Sequence, residues 1–132
     1  MSTDRILLLV RLASGGVFVA FGAGKFVNHA SELASFRIYG LPVPEAFVIV
    51  IGVVELVGGL LLITGMLTRP AALVLAGDMV GAIIVSGIAR GEIVSLTLAP
   101  AQLVVMVALA VTGPGAFRLR LPVGGDAATA AD

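Results

Sequence analysis

An all-α bundle of four transmembrane helices, with a short interfacial segment between the first and second, is the fold class this sequence predicts. Three observations carry it. Of 132 residues, 59% are hydrophobic and 12% charged, against about 25% charged in a soluble domain. Four apolar stretches each run for about 20 residues, enough at about 1.5 Å per residue to cross roughly 30 Å of hydrocarbon. The few ionisable residues inside those stretches share helical faces with glycines, the pattern of helices packed in lipid.

The elements follow in order. Residues 1–5 read as an N-terminal cap, and Ile6–Val27 as the first span, with Arg11 one turn inside and Lys25 near the far end. This segment has no small-residue cleavage site and carries Arg11, so a retained span is expected, not a signal peptide. Asn28–Pro44 is the most polar connection. Leu33, Phe36 and Tyr39 set against Glu32 and Arg37 suggest a short amphipathic helix lying in the interface, which Pro42 and Pro44 end. Ala46–Met66 is the second span and carries Glu55 at its centre. Pro70–Ala89 is the third, with Pro70 suited to a first helical turn and Asp78 inside. Ile93–Thr112 is the fourth, uncharged, with Pro100 expected to kink it and Gln102 to bond across helices. Gly113-Pro114-Gly115 stops it. Residues 6–117 thus form one membrane domain, and 118–132 a basic, then disordered, tail.

Composition also excludes some functions. Formal net charge is zero, which argues against nucleic acid as a partner. The absence of cysteine removes dithiol chemistry and thiolate metal ligation from this chain. The single histidine, His29, has no companion ligand, so no metal site is expected. The arginine bias places Arg5, Arg69, Arg118 and Arg120 on one side with both termini, against Lys25, Arg37 and Arg90 on the other. Both termini are therefore expected in the cytoplasm.

Arg11, Gly15, Phe18, Gly22 and Lys25 recur at steps of three and four and share one stripe. Gly52, Glu55 and Gly59 form a second stripe with Gly58 beside it, and Gly81 adjoins Asp78 in the third span. These glycines are expected to be helix contacts, with Leu56 and Leu61 on lipid-facing arcs. Arg11, Lys25, Glu55 and Asp78 are the candidate ligand or proton-site residues, since an intramembrane charge costs about 2.5–3.5 kcal/mol. Depth counting lets one Arg11 guanidinium bridge Glu55 and Asp78, and the surplus negative charge calls for a shared proton. Lys25 is expected to snorkel at the opposite interface near His29 and Glu45. A purely structural role for the charges, fixing helix register, is the competing reading.

An arginine in the first span precedes G-x-x-F-x-x-x-G-x-x-K (Gly15 to Lys25). FRIYGLPVP (Phe36–Pro44), GVVELVGGLLLITG (Gly52–Gly65) and TRPAA (Thr68–Ala72) follow. In that order these segments resemble the DoxX family of small bacterial four-helix membrane proteins. The resemblance implies the bacterial inner membrane and a link to quinone-coupled oxidation of sulfur compounds and to membrane-associated oxidoreductase complexes. One actinobacterial member is linked with a superoxide dismutase and a thiosulfate sulfurtransferase in oxidative-stress defence. No catalytic residue and no covalent cofactor are carried over, and catalysis by this chain alone is not expected. The functions it implies are a membrane subunit that anchors soluble redox enzymes, or a second copy of itself, and that holds a quinone beside the intramembrane charges. A small proton-coupled transporter using Glu55 and Asp78 is the alternative, and a structural helper without a ligand a third.

Overall fold

The chain is described here by a computed structural model over residues 1–119, and among them every regular element is helical. The order is α1 (Thr3–Val27), α2 (His29–Ile38), α3 (Pro44–Thr64), α4 (Thr68–Ala82), a π-helical stretch (Ile83–Ile88) that continues α4, and α5 (Ile93–Thr112). Four helical runs, Thr3–Val27, Pro44–Thr64, Thr68–Ile88 and Ile93–Thr112, are long and apolar enough to cross a membrane. The tail expected to be disordered lies outside the described residues from position 120 onward.

Local chemistry sets the ends. Ser2 is extended, and its hydroxyl accepts the Arg5 amide at 3.3 Å. This N-cap starts α1 at Thr3, so residues 1–5 are mostly the first helical turn and not a separate cap. Pro44 occupies the first turn of α3, where its missing N–H costs nothing. Gly65 ends α3 in the left-handed conformation with φ 80°. Glu92 caps α5 by accepting the amides of Val94 at 3.0 Å and Ser95 at 2.8 Å. Partial burial opposes its ionised form, but the hydrogen bonds from Ser95 and these amides outweigh it and hold its carboxyl below the ordinary range.

The tightest packing joins α1 to α3, which run antiparallel. A methyl group built on Gly59 would stand 2.7 Å from the Gly15 carbonyl oxygen, and one on Gly15 would stand 2.7 Å from the Gly59 carbonyl oxygen. Gly22 lies as close to the backbone of Gly52 and Leu56, and Gly52 lies under Lys25 and Phe26. Glycine is required here because backbone meets backbone. Gly58 faces the other way, where a methyl would meet Leu75 of α4 at 3.0 Å. Gly81 departs from expectation: nothing lies within 4 Å of the place its Cβ would take, so it is no helix contact. Leu61 packs against the core and Leu56 is half-buried, while Val53, Val57 and Leu60 point outward. The lipid-facing arc of α3 is therefore turned from the expected one.

Phe18, Leu62, Ala72, Leu75, Met106 and Leu109 fill the half of the bundle nearer the N-terminus. Ser14 and Gln102 tie α1 to α5, the serine hydroxyl donating to Gln102 Oε1 at 2.7 Å and Gln102 Nε2 donating to the Ser14 carbonyl at 3.3 Å. Beyond α5 the chain turns back across the same end. The Ala116 amide donates to Asp4 Oδ1 at 3.0 Å, and the Leu119 amide to the Thr64 carbonyl at 2.8 Å.

Candidate functional site

The glycine contacts fix the register of α1 on α3, and the register decides which charges meet. Arg11 lies level with Gly65, ten residues and so about 15 Å along α3 from Glu55. It is fully buried and donates from Nη2 to the Phe117 carbonyl, while its Nε and Nη1 have no hydrogen-bond partner. The expected Arg11 bridge between Glu55 and Asp78 does not form. Depth counted from a membrane edge missed this because it ignored the offset between antiparallel helices. Arg11 instead sits at the carboxyl end of α3, where the helix dipole favours a cation.

Lys25 takes the place assigned to Arg11. It is 7% exposed, not snorkelling at a surface, and its Nζ stands 2.6 Å from Glu55 Oε1. α2 folds over this end of α1 and keeps it from water. His29 and Glu45 face each other at 3.8 Å further out, with His29 Nδ1 3.3 Å from the Lys25 backbone carbonyl. From α4, Asp78 comes within hydrogen-bonding reach of Glu55. Two carboxyl groups bond to each other only when a proton lies between them. One lysine, two carboxyls and that one proton make a neutral cluster.

The cluster opens into a cavity of about 610 Å³ between the α1–α3 pair and the α4–α5 pair. Phe18, Met79 and Ala99 belong both to the apolar core and to the lining, so they form its floor. Phe36 and Tyr39 of α2, with ring centroids 5.6 Å apart, contribute the opposite wall. Phe21 and Phe47 add aromatic surface. On the α4 side the wall is partly bare backbone, because Gly77 and Gly81 flank Asp78 one turn to either side and meet nothing within 4 Å. The π-helical stretch widens the next turn and brings the Ser86 hydroxyl to 2.5 Å from that of Ser95. The wide turn and this serine pair were not foreseen. The signal available was Gly77-Asp78 and Gly81 at i, i+3 and i+4, small residues around a buried acid, which equally suits an open wall.

Comparison with known proteins now places the chain. The sequence model of DoxX matches residues 6–88, which takes in α1 to the end of the π-helical stretch and three of the four charged candidates' helices. The chain belongs to the DoxX family. Within the family's matched region it is 40% identical over 82 residues to the uncharacterised membrane protein Rv3486 of Mycobacterium tuberculosis, covering 61% of this chain and 50% of that one. It is 36% identical over 77 residues to CatD of Bacillus subtilis, named as a candidate oxidoreductase, covering 58% of this chain and 56% of CatD. The match thus spans about half the length of these curated relatives. No solved structure matches the chain significantly. Lys25, Glu55 and Asp78 all lie inside the DoxX match, whereas Glu92, Ser95 and Gln102 on the α5 wall lie beyond it.

Proposed function

We propose that this DoxX protein is the membrane subunit of an oxidoreductase assembly and that its cavity holds a quinone-type ring beside Lys25, Glu55 and Asp78. One observation carries the reading: a cavity with aromatic and aliphatic walls meets a lysine–carboxyl cluster on one side only. Its volume falls in the range of about 300–1,000 Å³ typical of small-molecule sites, which are apolar with a few convergent polar groups. Phenylalanine faces suit a flat ring, and the ammonium and carboxyl groups suit its oxygens. The name of CatD points the same way. With no cysteine and one histidine in the sequence, the chain's own part is to bind and position, and electron transfer falls to a partner enzyme. Proton-coupled transport would draw on the same carboxyl pair, but the Phe18–Met79–Ala99 floor closes the route toward the N-terminal end.

Gly81→Leu tests the site. The new side chain enters the cavity without meeting a neighbouring helix, so the melting temperature should hold. Binding of a decyl-substituted benzoquinone to the protein in lipid nanodiscs should fall by about tenfold or more. Unchanged affinity in a well-folded Gly81→Leu protein would exclude this cavity as the binding place.

The orientation we propose puts both termini in the cytoplasm and the cavity in the opposite half of the bilayer. Since the sequence has no cysteine, single cysteines at Ser2 and Ala34 report on it directly. A membrane-impermeant maleimide added to intact cells should label Ala34→Cys and spare Ser2→Cys. The reverse pattern inverts the topology.

A further inference from the structure

The cavity is rich in hydrogen-bond acceptors and nearly empty of donors. The hydroxyl hydrogens that line it are already committed. Ser86 donates to the Ala82 carbonyl at 2.8 Å, so the 2.5 Å contact with Ser95 leaves Ser95 as the donor there unless it turns to Glu92. Ser35 donates to the Ser31 carbonyl at 3.3 Å, and the Tyr39 hydroxyl lies against Ser35. Lys25 is engaged with Glu55, and Gln102 with Ser14. Against these stand three carboxyl groups, Glu32, Glu55 and Asp78, in addition to the capping Glu92. Glu55 is 5% exposed, and Asp78 Oδ2 is a buried oxygen that accepts no hydrogen bond among the described residues. An unsatisfied buried acceptor is costly unless a ligand brings it a hydrogen.

A quinone brings none, because its two ring oxygens only accept. Its reduced form, an aromatic diol, has the same ring and carries two O–H donors. Resting on the quinone-type reading above, we infer that the cavity selects the reduced, hydroxyl-bearing ring over the oxidised one, with Asp78 accepting one of its hydroxyl hydrogens. The site is then where the diol is held, and the oxidised ring leaves more readily than the reduced one.

Three probes of one shape decide this: a para-hydroquinone with a decyl tail, the matching quinone, and the dimethyl ether of the hydroquinone, which keeps both oxygens but has no O–H. Their binding to the full chain in nanodiscs is measured anaerobically at neutral pH by isothermal titration, with partition into empty nanodiscs subtracted. The hydroquinone should bind about tenfold or more tightly than either of the others, the worth of one hydrogen bond to a charged acceptor. Asp78→Asn supplies an N–H where wild type has only an acceptor, so it should narrow the gap between hydroquinone and quinone. Equal or tighter binding of the quinone or the ether in the wild type overturns the inference while leaving the site in place. An undiminished gap in folded Asp78→Asn overturns the role of Asp78. If no probe binds the wild type, the quinone-type reading itself falls. The wild-type comparison stands whether or not the variant folds.

Discussion

Replacing Gly59 with leucine is expected to part α1 from α3 and to unfold the protein in detergents that the wild type survives. The Cβ alone would sit 2.7 Å from the Gly15 carbonyl oxygen and 2.8 Å from the Val19 amide nitrogen. Both atoms are backbone, so neither can rotate away, and the helices must separate to admit a leucine. Overpacking of ordinary cores costs about 1–3 kcal/mol where side chains can adjust. Here adjustment means losing the contact along most of α1, and the cost should reach or exceed that upper figure. Val57→Leu, two residues away but 48% exposed toward lipid, should leave the melting temperature within about a degree or two, as outward substitutions do. A thermal scan of the three proteins in one mild detergent measures the contrast. Equal melting points for wild type and Gly59→Leu would mean that α1 and α3 do not meet along these glycines.

The second large effect is expected at Lys25. Its ammonium is the one cation that lines the cavity and it stands 2.6 Å from Glu55. Lys25→Met keeps the length and apolar stem but leaves two acids facing each other with no counter-charge. Removing one partner from a buried pair typically costs about 3–5 kcal/mol, because the remaining charge stays desolvated. Lys25→Met with Glu55→Gln removes both charges of the pair and should recover most of that loss. The two single variants and the double variant form a cycle whose coupling energy is read from chemical or thermal unfolding. A double variant no more stable than Lys25→Met alone would show that the lysine's stabilisation does not run through Glu55. Arg11 offers an internal contrast, since its bond goes to a backbone carbonyl and no carboxyl substitution should rescue its loss.

Much of the architecture was legible in the residues. Four apolar runs of spanning length gave four helices, and the glycines at 15, 22, 52, 58 and 59 lie at helix contacts because close approach in lipid leaves little choice of residue. Gln102, a polar side chain in an uncharged span, did bond across helices to Ser14. What the sequence concealed was register between helices distant along the chain. Assigning Arg11 or Lys25 to Glu55 requires knowing which residue of α1 stands opposite Glu55, and both share one stripe on the same helix. The spacing from Gly15 to Gly22 matches that from Gly52 to Gly59, which would have fixed the antiparallel register had the two pairs been matched end to end. The cavity was hidden for a different reason. A glycine that permits contact and a glycine that leaves space look alike in sequence, and Gly81 was of the second kind.

The bond from Arg11 to the Phe117 carbonyl joins residues 106 positions apart. Its meaning extends to the order in which the protein is made. The first helix enters the membrane early in synthesis carrying a guanidinium that its finished neighbours bury completely. The acceptor that satisfies it emerges only after the fourth span has been translated. Until then Arg11 must keep its charge near the headgroups, where long side chains can reach water. Closure of that end of the bundle is therefore a late event, coupled to release of the C-terminal segment, and a chain cut short before Phe117 would hold all four helices yet leave the first one waiting at the surface.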